Sequence, residues 1–487
     1  MVTNMVNCEN YTMLADFYEL TMANGFFNEG YRDKTVYFDM FFRSVPDGGG
    51  YAIMAGTEQL IEYLKSLRFT EEDIEYLRSK EMFSEEFLKY LSDFKFSCDV
   101  WAVAEGTPIF PGEPIVTVKG PAIEAQLIET MLLMTINFQT LIATKSNRIV
   151  RAAEGRAVME FGARRAQGAY AAKYGARAAY IGGCAGTSNV LTDKEYGVGA
   201  LGTMAHSWIQ MFDSEYEAFC AYARTYPDNT TLLIDTYNVL KSGLPNAIRA
   251  FDDVLKPLGK RPKGVRIDSG DITYLSKKCR EMLDDAGYSD CGIVASNSLD
   301  EYIIQDMLLQ GAKIDTFGVG ERLITSKSAP VMGGVYKLAA VENEKGEIVP
   351  KIKVSENVAK ITTPCFKQVY RLYDNDTKKA IADVLTLRDE VIEENKPYEL
   401  FDPEHTWKHK SVENFTVRPL LEQIFKNGEC VYSSPTAKEI QSYCMDQLDT
   451  LWDELKRFEN PHKYYVDLSK KLWQIKNDLL QSVSNNE

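Results

Sequence analysis

Between residues 131 and 345 the chain alternates short apolar runs with longer segments of helical periodicity. The runs are 157–161, 178–181, 199–203, 232–235, 265–268, 292–296, 315–319 and 335–338, each ending in small or polar residues. They return every 20 to 33 residues or so, the rhythm of strand, loop, helix and loop. Parallel strands with right-handed helical crossovers are the architecture this rhythm predicts. Seven or eight consecutive units favour a closed α/β barrel over an open doubly wound sheet. No G-x-G-x-x-G follows the first run to suggest a dinucleotide fold.

The flanks have a different texture. In an N-terminal region, 1–130, segments 35–42 and 115–118 read as strands and Pro/Gly clusters at 46–50 and 111–114 as turns. Residues 57–95 read as helical, with Leu60, Leu64 and Leu67 spaced by four and three. A C-terminal region, 346–487, is more polar and ends in two amphipathic stripes. One comprises Ile440, Cys444, Leu448, Leu451 and Leu455, the other Leu468, Leu472, Ile475 and Leu479, with Pro461 between them. Such stripes signal packing rather than chemistry.

Composition narrows the class. A chain of 487 residues is long for a single core, and 45% hydrophobic with 26% charged residues is a globular balance. No apolar stretch approaches the roughly 18 residues of a membrane span. The N-terminal stretch lacks the basic and apolar regions of a secretory leader. Nine cysteines without C-x-x-C pairs or metal spacing read as reduced thiols, which makes a cytoplasmic protein the expectation. A net charge of −15 argues against nucleic acid or an anionic membrane as partner.

In a barrel, chemistry gathers at the C-terminal ends of the strands. There the sequence places Phe161, Arg164 and Arg165; Thr187, Ser188 and Asn189; Thr203 and His206; Asp235; Asp268 and Asp271; Ser296 and Asn297; Gly318 and Gly320. His206 is one of only four histidines, and the others lie in the polar C-terminal region. A neutral imidazole can be nucleophile, general base or ligand near neutral pH, or an ordinary histidine satisfied by a backbone carbonyl. Asp235, one unit away, could fix its tautomer or cap a helix. Arg266-Ile267-Asp268-Ser269-Gly270-Asp271 offers an arginine able to grip a carboxylate or phosphate. Its two acids could serve a metal or a sugar diol, although Asp271 is equally an N-cap. Gly318, Gly320, Gly333 and Gly334 follow the last two runs, where many barrels bind phosphate on backbone N–H groups. Phe161 and Tyr18 could sandwich a flat heterocycle or belong to the core.

Taken in order, LADFYELTMANG, EFGARRAQG, GGCAGTSNV, GTMAHSW, LLIDTYNVLKSGLPNAI, GVRIDSGD, SNSLDEY, GVGERL and GGVYKL resemble the nicotinate phosphoribosyltransferases over most of the chain. The stretch from Lys353 to Pro364 is also similar to that family. The resemblance implies an irregular TIM-like α/β barrel with an N-terminal α/β domain and a C-terminal extension. It implies a homodimer whose active site borrows residues across the interface. It also implies a reaction in NAD salvage: nicotinate, phosphoribosyl pyrophosphate and ATP give nicotinate mononucleotide, pyrophosphate, ADP and phosphate, with Mg²⁺ as cofactor.

By the same resemblance His206 is the residue phosphorylated by ATP and Asp235 its orienting acid. Phe161 and Tyr18, the latter from the other subunit, stack the pyridine, and Thr203 and Arg266 contact nicotinate. Asp268 and Asp271 with Gly318, Gly320, Gly333 and Gly334 form the ribose and phosphate site, with Arg164 near the phosphates. Glu321 departs from a threonine found in some relatives. Ser188 stands where nicotinamide phosphoribosyltransferases have an aspartate; its lack of charge favours the acid substrate. A quinolinate-specific relative would need more cations for two carboxylates and no ATP.

Overall fold

Strand and helix alternate along 157–324 in the computed structural model, which describes residues 10–357 and 360–484. Residues 1–9, part of the stretch read for a leader, lie outside the described residues. The chain divides into two units. One holds residues 142–330 and 436–441, the other the segments up to 141, 331–435 and from 442 onward.

The first unit is built on six parallel strands. Their spatial order is Gly186–Thr187, Ala157–Glu160, Thr316–Val319, Gly292–Asn297, Gly264–Ile267 and Thr231–Leu233. The first long strand therefore pairs with the last, Gly318 opposite Met159, while the rest follow chain order. Burial alternates with the period of two a strand imposes. Val265, Ile267, Ile293, Ala295, Phe317 and Val319 are buried, whereas Arg266, Val294 and Met159 are half-buried on the other face.

Five of the eight apolar runs become strands of this sheet, and three do not. Residues 178–181 end the helix Ala169–Ile181, because AYAAKYGARAAYI is rich in alanine, the best helix former, and has one β-branched residue. The strand that takes its place, Gly186–Thr187, is too short to register as an apolar run. Run 199–203 supplies one parallel bridge, Ala200 to Thr187. Run 335–338 opens the strand Val335–Glu342, which lies in the second unit and pairs antiparallel with Thr35–Phe41. A run of four apolar residues does not identify its partner strand. Closure of the parallel sheet into a barrel is not among its hydrogen-bonded ladders, which leave Gly186–Thr187 and Thr231–Leu233 at the two edges.

In the second unit a seven-stranded antiparallel sheet has Thr35–Phe41 and Val116–Pro121 near its centre, close to the bounds expected. Residues 57–95 form three helices, Thr57–Ser66, Glu71–Arg78 and Glu85–Ser92. The breaks fall where Thr70, in a capping box with Asp73, and Ser84 start new helices. The polar C-terminal segment supplies a four-stranded sheet around Lys367–Asp374 and Ala380–Leu387. The first stripe lies on the helix Ala437–Asp449 as far as Leu448, with Leu451 beyond its end and Leu455 on the turn Asp453–Lys456; the second lies on Lys470–Ser484, with Leu468 ending the preceding strand. No helix among the described residues is long and apolar enough to cross a membrane.

Candidate active site

Arg266 gathers the predicted residues. It lies on the half-buried face of its strand, and its side chain is 16% exposed. Nε donates to Ser296 Oγ at 2.8 Å, and Nη1 to Thr203 Oγ1 at 3.2 Å and Met204 O at 3.4 Å. Nη2 donates to Asp268 Oδ1 at 3.0 Å, and the guanidinium carbon stands 5.8 Å from the centre of the Phe161 ring. A planar fork beside an aromatic face is suited to a ligand that is flat and carries a carboxylate.

Asp268 Oδ1 also receives the Ser296 hydroxyl. Burial pushes the Asp268 carboxyl up, but the Ser296 bond, the charge and bond of Arg266 and the nearby His206 outweigh it. The group sits below its ordinary value and is ionised at neutral pH. Asn297, ending the same strand as Ser296, has φ 146°, a region L-residues rarely adopt. Backbone strain of that kind clusters at functional sites.

His206 opens the short helix His206–Gln210, half-buried, and its Nδ1 lies 3.1 Å from Thr236 Oγ1. The neighbouring Asp235 is buried. Its Oδ2 accepts from the Asp268 N–H at 3.1 Å and the Ser269 hydroxyl at 2.6 Å, while Oδ1 has no hydrogen-bond partner among the described residues. The histidine's hydrogen-bond partner is thus Thr236, and Asp235 braces the Asp268 loop. Successive side chains of an extended segment point to opposite sides, so adjacency in sequence does not choose between them.

Gly318 is demanded by packing, and Gly320 is tightly enclosed. A Cβ on Gly318 would stand 2.6 Å from the Phe161 ring, and one on Gly320 3.0 Å from the Phe161 carbonyl oxygen. Gly333 and Gly334 belong to the second unit, where Gly333 has φ 70° and a Cβ on Gly334 would strike Asn137. Asp271 is exposed and caps the helix Ile272–Asp285, accepting from the Tyr274 N–H at 3.0 Å. Arg164 and Arg165 are exposed on the turn Ala163–Arg165. Ser188 is exposed and its N–H donates to the Glu160 carbonyl at 2.9 Å. Tyr18, on the helix Phe17–Asn28 of the second unit, is 45% exposed.

Sequence reasoning missed Thr236, Ser269 and Glu160, although all stand inside quoted segments. It also missed a cavity of about 490 Å³ in the second unit, lined by Arg43, Lys337, Lys367, Lys463 and Lys476 against Asp39 and Glu404. Lys367 is buried against Asp39 at 2.6 Å. These cations are scattered from residue 43 to 476, so no local pattern announces them. Among the described residues no group of three or more His, Cys, Asp or Glu forms a metal cluster.

The nicotinate phosphoribosyltransferase family model matches residues 156–386, with its N-terminal domain at 13–137 and its C-terminal domain at 366–476. Nicotinate phosphoribosyltransferase of Bacillus subtilis is 43% identical over 479 residues, covering 98% of this chain and 96% of that protein. The crystal structure of human nicotinic acid phosphoribosyltransferase superposes with a TM-score of 0.83 at 28% identity, over 96% of this chain and 100% of the human one. That of nicotinate-nucleotide pyrophosphorylase from Pyrococcus furiosus gives 0.69 at 25% identity, over 92% and 99%.

Proposed function

The chain belongs to the nicotinate phosphoribosyltransferase family, and on that premise we propose that it makes nicotinate mononucleotide with ATP coupling through a phosphohistidine. The pyridine nitrogen bonds to C1 of phosphoribosyl pyrophosphate as the bond from C1 to the pyrophosphate oxygen breaks. The observation that carries the reading is Arg266, held by Thr203, Ser296 and Asp268 beside Phe161. Its guanidinium receives the nicotinate carboxylate while the Phe161 ring holds the pyridine in line with C1. Uncharged Ser188 leaves the carboxylate unopposed.

Thr236 engages Nδ1 of His206, which leaves Nε2 to attack the γ-phosphorus of ATP and release ADP. Asp268, ionised and braced through its backbone by Asp235, suits the ribose hydroxyls. The unpartnered Asp235 Oδ1 and Asp268 fit a Mg²⁺ that arrives with the polyphosphate, since Mg²⁺ keeps few protein ligands. That ion would offset charge on the leaving pyrophosphate. The cationic cavity of the second unit suits a polyphosphate group as well.

A homodimer is supported by the exposed Leu14, Phe17, Tyr18 and Met22 around one helix, and a reducing cytoplasm by the eight free cysteines among the described residues. The pairing of first and last strands supports an irregular barrel. The deciding experiment is turnover of nicotinate against nicotinamide, with and without ATP. Nicotinate should react, faster with ATP; preference for nicotinamide, or indifference to ATP, refutes the corresponding part.

A further inference from the structure

Glu160 ends its strand fully buried, yet the reaction above gives it no part. A buried carboxylate requires strong hydrogen bonds, and this one has them on both oxygens. Oε1 accepts from the Gly162 N–H and Oε2 from the Thr187 hydroxyl, the latter at 2.6 Å. Thr187 Oγ1 in turn accepts from the Asn189 N–H at 3.0 Å, and Asn189 caps the helix Val190–Tyr196.

One carboxylate therefore ties the backbone just past Phe161 to the neighbouring strand end. The ring it steadies rests on Gly318, where even a methyl group would collide, and its own N–H is pinned to Val319 O at 2.7 Å. With these two constraints set by packing and a backbone bond, the Gly162 anchor is left to fix how far the ring reaches toward Arg266.

We infer that Glu160 is a positioning residue that holds the Phe161 ring at the height the pyridine substrate requires. This rests on the reading of Phe161 as a wall of the nicotinate pocket. A carboxylate is needed because two donors converge on it. An amide would turn an N–H₂ toward one of them, and an aspartate is one methylene too short to span both.

Steady-state kinetics of Glu160→Gln, with Phe161→Ala beside it, test the idea. Glu160→Gln should raise the nicotinate KM about tenfold, the worth of one such bond, and leave the phosphoribosyl pyrophosphate KM within about twofold. Thr187→Val should act in the same direction, and the double variant should add little, because the clamp is already open. Thr187→Val alone gives the same readout if Glu160→Gln does not fold. A uniform loss of kcat with both KM values unchanged overturns the clamp. Phe161→Ala separates the two failures. If it raises the nicotinate KM and Glu160→Gln does not, the clamp is wrong; if it leaves that KM unchanged, the pocket reading falls first.

Discussion

Arg266 and Asp268 stand two apart on one strand end, and their pairing at 3.0 Å is as local as their sequence spacing. That is why the charged pair could be read before the fold was known. The Ser296 hydroxyl that both share and the Thr203 hydroxyl that Arg266 reaches come from distant segments and could not. Arg266→Ala should raise the nicotinate KM roughly tenfold to a hundredfold, the range for a hydrogen bond to a charged group, with the ATP KM little changed. Equal effects on both would refute the carboxylate contact. Arg266→Lys keeps the charge and loses the fork, so it should recover only part of the affinity. For His206→Ala the expectation is slow transfer that no longer responds to ATP, read by comparing initial rates with and without the nucleotide. A variant still stimulated by ATP would remove the phosphohistidine.

At the scale of elements, Asp271 is the clearest division between pattern and place. The segment RIDSGD suggested a second acid for the substrate, whereas the side chain is occupied as the N-cap of Ile272–Asp285. Asp271→Ala should therefore cost about 1 kcal/mol of stability. Thermal unfolding should move down by about 2–4 °C while every KM stays put. A selective rise in the phosphoribosyl pyrophosphate KM would return Asp271 to the site. Strands were legible where an apolar run was long enough for the period of two, as at Gly264–Ile267 and Gly292–Asn297. They were illegible at Gly186–Thr187, which has two residues, and misassigned at 178–181, where alanine serves helix and buried strand alike.

Across the whole molecule, the second unit is closed by segments from both ends of the chain, and burial there perturbs acids as well. Glu19, beside Tyr18, is buried; its Oε1 accepts from the Thr130 N–H at 3.0 Å and the Thr130 hydroxyl at 2.6 Å. Desolvation, opposed by those two bonds, pushes its carboxyl from the ordinary 4.5 up to about 7. A raised acid favours folding below the unfolded value and loses that contribution as pH climbs to the folded one. Thermal unfolding of Glu19→Gln against wild type should coincide near pH 4.5 and separate in the variant's favour up to about pH 7. A gap independent of pH would show that the carboxyl ionises normally. By itself, the sequence determined the strand–helix rhythm, the family and the residues that flank strand ends. Each of these is written in spacings of a few residues. Only the tertiary structure decided that Thr236 rather than Asp235 meets the imidazole, that Val335–Glu342 leaves the parallel sheet, and that five distant cations line one cavity. Those choices depend on which segments pack together, and short-range periodicity carries no term for a partner hundreds of residues away.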